Sequence, residues 1–136
     1  MSVRAIPLLV FAFILYNAFV FLGGGPASLA EPILKDIHML SGGVWSFTRG
    51  DLILLITLLL LFVELVKSTF TTTSTLIDHA LSMVVFMAVG VEFLMVSQAA
   101  SSVFFFVLMA CLIDVIAGYT IGIRVARRDL NIGADQ

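Results

Sequence analysis

Hydrophobic positions along this chain gather into four blocks, at about residues 6–22, 52–68, 76–96 and 103–123, divided by breaks rich in glycine, serine and threonine. A helix rises ~1.5 Å per residue, so ~20 residues cross the ~30 Å of a bilayer's hydrocarbon. The blocks therefore predict an all-α polytopic membrane protein: one domain of four transmembrane helices over residues 1–136, with an outer loop at 23–50. The third block, LIDHALSMVVFMAVGVEFLMV, organises the rest, because it is long enough to span yet carries Asp78, His79 and Glu92. An ionisable side chain at the centre of a span costs roughly 2.5–3.5 kcal/mol on insertion scales, and less toward the ends. These three need partners, and Glu64 and Lys67 before the block and Asp114 after it are available.

The first block follows Arg4 and is succeeded by Ser28, Leu29 and Ala30 ahead of Glu31, which outlines a secretory signal with a small-residue cleavage site. Its apolar run exceeds the usual ~7–15 residues of a signal core, which favours a retained first helix. Tyr16 and Asn17 within it can hydrogen-bond a neighbouring helix. Beyond the glycines at 23–25, Leu29, Ile33, Leu34, Ile37 and Leu40 recur at helical spacing, with Glu31, Lys35, Asp36 and His38 between them. Pro32 suits a first helical turn. The spacing predicts a short amphipathic helix lying in the membrane interface, with a plain loop as the alternative. Trp45 and Phe47 suit the headgroup region. Asp51 falls at the start of the second helix, where a carboxylate accepts orphan backbone N–H groups. Thr75 and Asp78 outline a capping box at the start of the third.

Four spans put both termini on one side. Arg4, Arg124, Arg127 and Arg128 share that side with Lys67, against Lys35 and Arg49 on the other. Basic residues in short loops collect in the cytoplasm, so both termini are predicted there. Composition agrees with the hydropathy pattern. The chain is 61% hydrophobic and 12% charged with a mean hydropathy of +1.17, where soluble proteins carry about 25% charged residues. A net charge of −2 gives no footprint for nucleic acid. Cys111 stands alone, so no intramolecular disulfide forms, and it reads as a small buried hydrophobe.

The polar groups inside the spans are where chemistry could reside. Glu64, Lys67, Asp78 and His79 fall near the cytoplasmic edge, Asp114 near the midplane and Glu92 toward the outside. Asp78 and Glu92 differ by only about 40° around their helix, Ser82 shares that stripe, and His79 points about 100° away. Glu64 and Lys67 pair at i, i+3. Ala110, Asp114, Gly118 and Gly122 recur every four residues on the fourth helix, and the glycines allow another helix to approach closely. Burial there disfavours the charged form of Asp114 unless a cation pairs with it. Capping and snorkelling account for Asp51, Asp78 and Lys67; Glu92 and Asp114 have no such explanation, and intramembrane carboxylates mark functional sites.

Enzyme chemistry lacks a basis in the sequence. Asp78 and His79 are adjacent and so cannot place two ligands on one helix face, no Glu-x-x-His motif is present for a di-metal bundle, and no nucleophile motif occurs. No metal or cofactor is expected.

Five phrases, RGDL at 49–52, FVELVK at 62–67, IDHALS at 77–82, VEFL at 91–94 and LIDVIAG at 112–118, resemble a group of small four-helix inner-membrane proteins of proteobacteria. That resemblance covers most of the chain beyond Gly42 and implies a bacterial inner-membrane location without an activity. A more distant likeness is to the phosphate-starvation-inducible E family, where an acidic residue late in the second helix corresponds to Glu64. Basic residues on that family's third helix stand where this chain has His79 and Glu92. Two functions are expected. One is an accessory or structural component embedded in lipid, acting through helix contacts with a second copy or another membrane protein. The other is an oligomeric proton or small-cation conduit using Glu64, Asp78, His79, Glu92 and Asp114.

Overall fold

Apolar side chains outnumber what four slender helices can enclose, so each helix turns a narrow stripe inward and leaves a broad apolar surface outside. The computed structural model describes residues 5–70 and 73–134, without the side chains of 73–75. They hold four α-helices: α1 (Leu9–Gly23), α2 (Arg49–Lys67), α3 (Thr73–Met95) and α4 (Ser102–Ala134). The inward stripes are Leu9, Ala12, Tyr16 and Val20 on α1, and Gly50, Ile53, Thr57, Leu61 and Glu64 on α2. Asp78, Ser82 and Val89 face inward on α3, as do Phe104, Val107, Cys111, Asp114 and Gly118 on α4. All recur at the three-, four- or seven-residue spacing of one helix face. Phe11, Ile14, Leu58, Phe62, Met83, Met87, Phe106 and Ile113 are exposed. Three buried carboxylates, Glu64, Asp78 and Asp114, thus lie inside a bundle whose outer face is broadly apolar.

α4 is the central element, packed against both α2 and α3, while α1 packs mainly on α2. Leu76–Met95 and Ser102–Ala134 are long and apolar enough to cross a membrane. α1 is apolar but has only 15 residues, and the 19 residues of α2 include Arg49, Asp51, Glu64 and Lys67. Two helices, not four, thus meet the criterion of length and apolarity. α4 continues well past residue 123, and its 33 residues reach ~50 Å, with Arg124, Arg127 and Arg128 exposed on the extension. Arg4 and the side chain of Thr75, which entered the topology and capping expectations, lie outside the described residues.

The amphipathic helix expected around residues 29–40 is not formed. A 3-10 turn at Pro26–Ala30 leads instead into an antiparallel hairpin of β1 (Pro32–His38) and β2 (Val44–Thr48). The reason lies in residues 44–48: VWSFT is β-branched and aromatic, and it offers a partner strand that satisfies the backbone of 32–38. Pro32 starts β1, where its missing N–H is tolerated. The register shifts between Leu34 and Ile37, where Asp36 takes a left-handed φ of 51°, and Gly42 at φ 85° turns the loop. Glu31 and Arg49 pin the hairpin base through a 2.8 Å ion pair and the Arg49 N–H bond to the Glu31 carbonyl. Thr48 and Asp51 then start α2 with a capping box: Thr48 Oγ1 accepts the Asp51 N–H at 3.2 Å, and Asp51 Oδ2 accepts the Thr48 N–H at 2.9 Å. Gly50 lets α2 approach α4, since a Cβ there would stand 2.9 Å from Val103 Cγ2.

Candidate functional site: a buried carboxylate cluster

Glu64, in the last turn of α2, faces the first turn of α1. Its Oε1 accepts the Leu8 backbone N–H, one of the donors a helix N-terminus leaves unpaired, and also the Lys67 ammonium at 3.0 Å. An anion at this end is further favoured by the α1 dipole. Lys67 Nζ donates to the Ile6 carbonyl at 3.0 Å and pairs with Asp78 Oδ2 at 3.1 Å. One ammonium therefore ties the starts of α1 and α3 to the end of α2. Glu64 and Asp78 are each 2% exposed.

Deeper along the bundle, Ser82 and Asp114 face each other between α3 and α4, at 3% and 2% exposure. Ser82 Oγ lies against the Asp114 carboxyl without closing a regular hydrogen bond, and Asp78 Oδ1 is buried without a partner. Asp78 and Lys67 both lie within electrostatic range of Asp114, but no ion pair to Asp114 forms among the described residues. Two carboxylates thus pair with one ammonium, and a third, Asp114, lies beyond ion-pair distance of it. His79 adjoins the cluster from another side of α3 and packs on Gly118: a Cβ at Gly118 would stand 2.5 Å from its Cε1 and 2.8 Å from its Nδ1. The groove expected at Gly118 and Gly122 is accordingly occupied at one end by the chain's own imidazole and open at the other, where Gly122 has nothing within 4 Å.

Glu92 belongs to a second polar group at the opposite end. Tyr16 Oη donates to the Gln98 carbonyl at 2.9 Å and lies 2.6 Å from Ser101 Oγ, whose lone pairs also accept the Phe104 N–H at 3.1 Å. Glu92 sits within electrostatic range of Tyr16, and its Oε1 is buried and unpartnered. Ten residues of α3, ~15 Å of rise, separate Ser82 from Glu92. Leu61, Val89, Val107, Leu108 and Cys111 belong to the apolar core between the two groups.

The five sequence-level candidates therefore divide: Glu64, Asp78, His79 and Asp114 converge, and Glu92 does not join them. The Leu8 N–H and the Ser101 hydroxyl were not legible as site members. Ser101 carried one local signal, its place as a helix cap three residues before Phe104. No grouping of three or more His, Cys, Asp or Glu side chains with metal-site geometry occurs among the described residues.

Fold and site define a small α-helical bundle with three buried carboxylates, Glu64, Asp78 and Asp114, and two helices long and apolar enough to cross a membrane. No protein-family model matches the chain, and no curated protein or solved structure matches it.

Proposed function

We propose that the chain is a multi-pass protein of a bacterial inner membrane, with α1 to α4 all spanning, both termini cytoplasmic and the hairpin outside. In this reading it works as an accessory or structural component, through contacts with a second copy or another membrane protein. The observation that carries it is the apolar layer between the polar groups. Leu61, Val89, Val107 and Cys111 are all buried there, the stretch of α3 from Ser82 to Glu92 presents no inward polar side chain, and the hydroxyl of Thr57 on α2 is taken up by the Ile53 carbonyl at 2.7 Å. A single bundle built this way offers ions no polar path, because a charge entering an apolar layer meets a large desolvation cost. Glu64, Lys67 and Asp78 are occupied in joining α1, α2 and α3.

The convergence of Glu64, Asp78 and Asp114 on one interior supports a second reading, an oligomeric proton or small-cation conduit whose path opens only between copies. Flux of protons and monovalent cations in proteoliposomes separates the two. The accessory reading expects no flux above protein-free vesicles, together with a discrete adduct on crosslinking in native membranes. Flux that Asp114→Asn abolishes at matched protein density would overturn it in favour of the conduit.

A further inference from the structure

We propose that Asp78, Ser82 and Asp114 form a proton-binding site inside the bundle, in which Asp114 holds the proton and Ser82 links it to Asp78. Charge and hydrogen-bond capacity lead there together. Among the described residues, the titratable side chains facing this interior can be named. α2 contributes Glu64 and Lys67, α3 Asp78 and His79, and α4 Cys111 and Asp114. α1 contributes only Tyr16, among the second polar group. Lys67 reaches both Glu64 and Asp78, and the N-terminus of α1 adds its Leu8 N–H to Glu64. Among the described residues, Asp114 forms no ion pair with an ammonium and meets no helix N-terminus. A third ionised carboxylate, 2% exposed and beside two others, carries a desolvation cost and like-charge repulsion, against which stand only the Ser82 hydroxyl and a Lys67 ammonium already paired with Glu64 and Asp78.

A proton answers this and also accounts for two of the three orphan atoms in this interior, the third being His79 Nε2. Ser82 Oγ and Asp78 Oδ1 are both buried and unpartnered, and they lie one helical turn apart on the face of α3 that meets Asp114. A protonated Asp114 supplies the donor that Ser82 Oγ lacks. The serine hydroxyl is then free to donate toward Asp78 Oδ1, so one proton gives all three groups a partner. A metal cation is the weaker occupant, because hard cations take six or more oxygens, and the described residues hold no cluster of metal-site geometry. The site stands whether the protein is an accessory component or a conduit, since it requires only the packing of α3 on α4.

Infrared spectroscopy of the full chain in lipid vesicles tests it at neutral pH. Wild type is expected to show a protonated-carboxyl C=O band that shifts in D2O. Asp114→Asn should remove that band, and Glu92→Gln should leave it. Ser82→Ala, which changes no charge and serves if the asparagine variant does not fold, should shift the band as the carboxyl loses its acceptor. Absence of the band in wild type, its persistence in Asp114→Asn, or an unshifted band in Ser82→Ala would overturn the proposal. So would loss of the band on adding sodium at constant pH, which would assign the site to a cation.

Discussion

The Glu64 carboxylate accepts the backbone N–H of Leu8, 56 residues earlier in the chain, and so caps α1 from the far end of α2. A helix N-terminus left unpaired inside an apolar bundle costs about 1–3 kcal/mol per buried donor. Glu64→Ala removes the acceptor and also one of the two carboxylates on Lys67. It should lower stability by about 1–3 kcal/mol and raise amide exchange in the first turn of α1. Glu64→Gln keeps an acceptor for Leu8 and should lose less. Equal losses for both variants, measured by thermal unfolding in detergent with hydrogen exchange at residues 8–12, would show that the charge on Lys67 matters and the cap does not.

Gly118 and Gly122 share a sequence pattern but not a role. His79 fills the space above Gly118, and Gly122 is open. Gly118→Ala must push the imidazole aside, at a cost of about 1–3 kcal/mol for overpacking. Gly122→Ala meets nothing and should be neutral or stabilising by up to about 1 kcal/mol through helix propensity. Because the obstruction at Gly118 is a single side chain, His79→Ala should relieve it. In a double-mutant cycle the Gly118→Ala penalty should shrink in the His79→Ala background. Additive unfolding free energies would mean that something other than His79 occupies the space. If the open face at Gly122 meets a second copy, only Gly122→Leu should alter the oligomer profile.

These two sites show what the sequence could reveal. Apolar blocks located the four α-helices because a helix needs a continuous apolar stripe, although only two of them are long and apolar enough to cross a membrane. The i, i+3 spacing of Glu64 and Lys67 was readable for the same local reason, as was the stripe of Asp78 and Ser82. The hairpin was not, because Leu34, Ile37 and Leu40 satisfy a helical period on their own. Only pairing with residues 44–48, a non-local event, decides for strand. T-x-x-D occurs twice, at Thr48–Asp51 and Thr75–Asp78. The first closes as a capping box; at the second, Asp78 Oδ2 pairs with Lys67 and the Thr75 side chain lies outside the described residues. The cap that Glu64 places on α1 depends on how two helix ends meet, which no local spacing encodes.

Tyr16 places its ring and its hydroxyl in separate roles. The ring packs edge-on against Phe104 at 4.7 Å between centroids, and the hydroxyl bridges Gln98 and Ser101 at the start of α4. Tyr16→Phe keeps the first and removes the second, so about 0.5–1.5 kcal/mol should be lost. Tyr16→Leu loses both and should cost more. Ser101→Ala also removes the cap on the Phe104 N–H, a further loss of about 1 kcal/mol. The ordering Tyr16→Phe, then Ser101→Ala, in chemical unfolding would support a bridge subordinate to the cap. The reverse ordering would make the tyrosine hydroxyl the dominant bond.

Asp36 is the one described non-glycine residue at positive φ, 51°, and it sits where the register of β1 slips between Leu34 and Ile37. An L-residue in this region carries a penalty of roughly 1–2 kcal/mol that glycine does not. The side chain is exposed and in no ion pair among the described residues, while its backbone N–H reaches Ser46 Oγ at 3.4 Å. Little is therefore lost with the carboxylate. Asp36→Gly should slow amide exchange across β1 and β2, with glycine's larger unfolded-state entropy trimming the gain to under about 1 kcal/mol. Asp36→Val, a β-branched residue poorly suited to this conformation, should speed the same amides, and Asp36→Asn should change little. Faster exchange in the glycine variant would mean that the carboxylate itself holds the bulge, through solvent or a partner, and that the hairpin is shaped by contacts outside this chain.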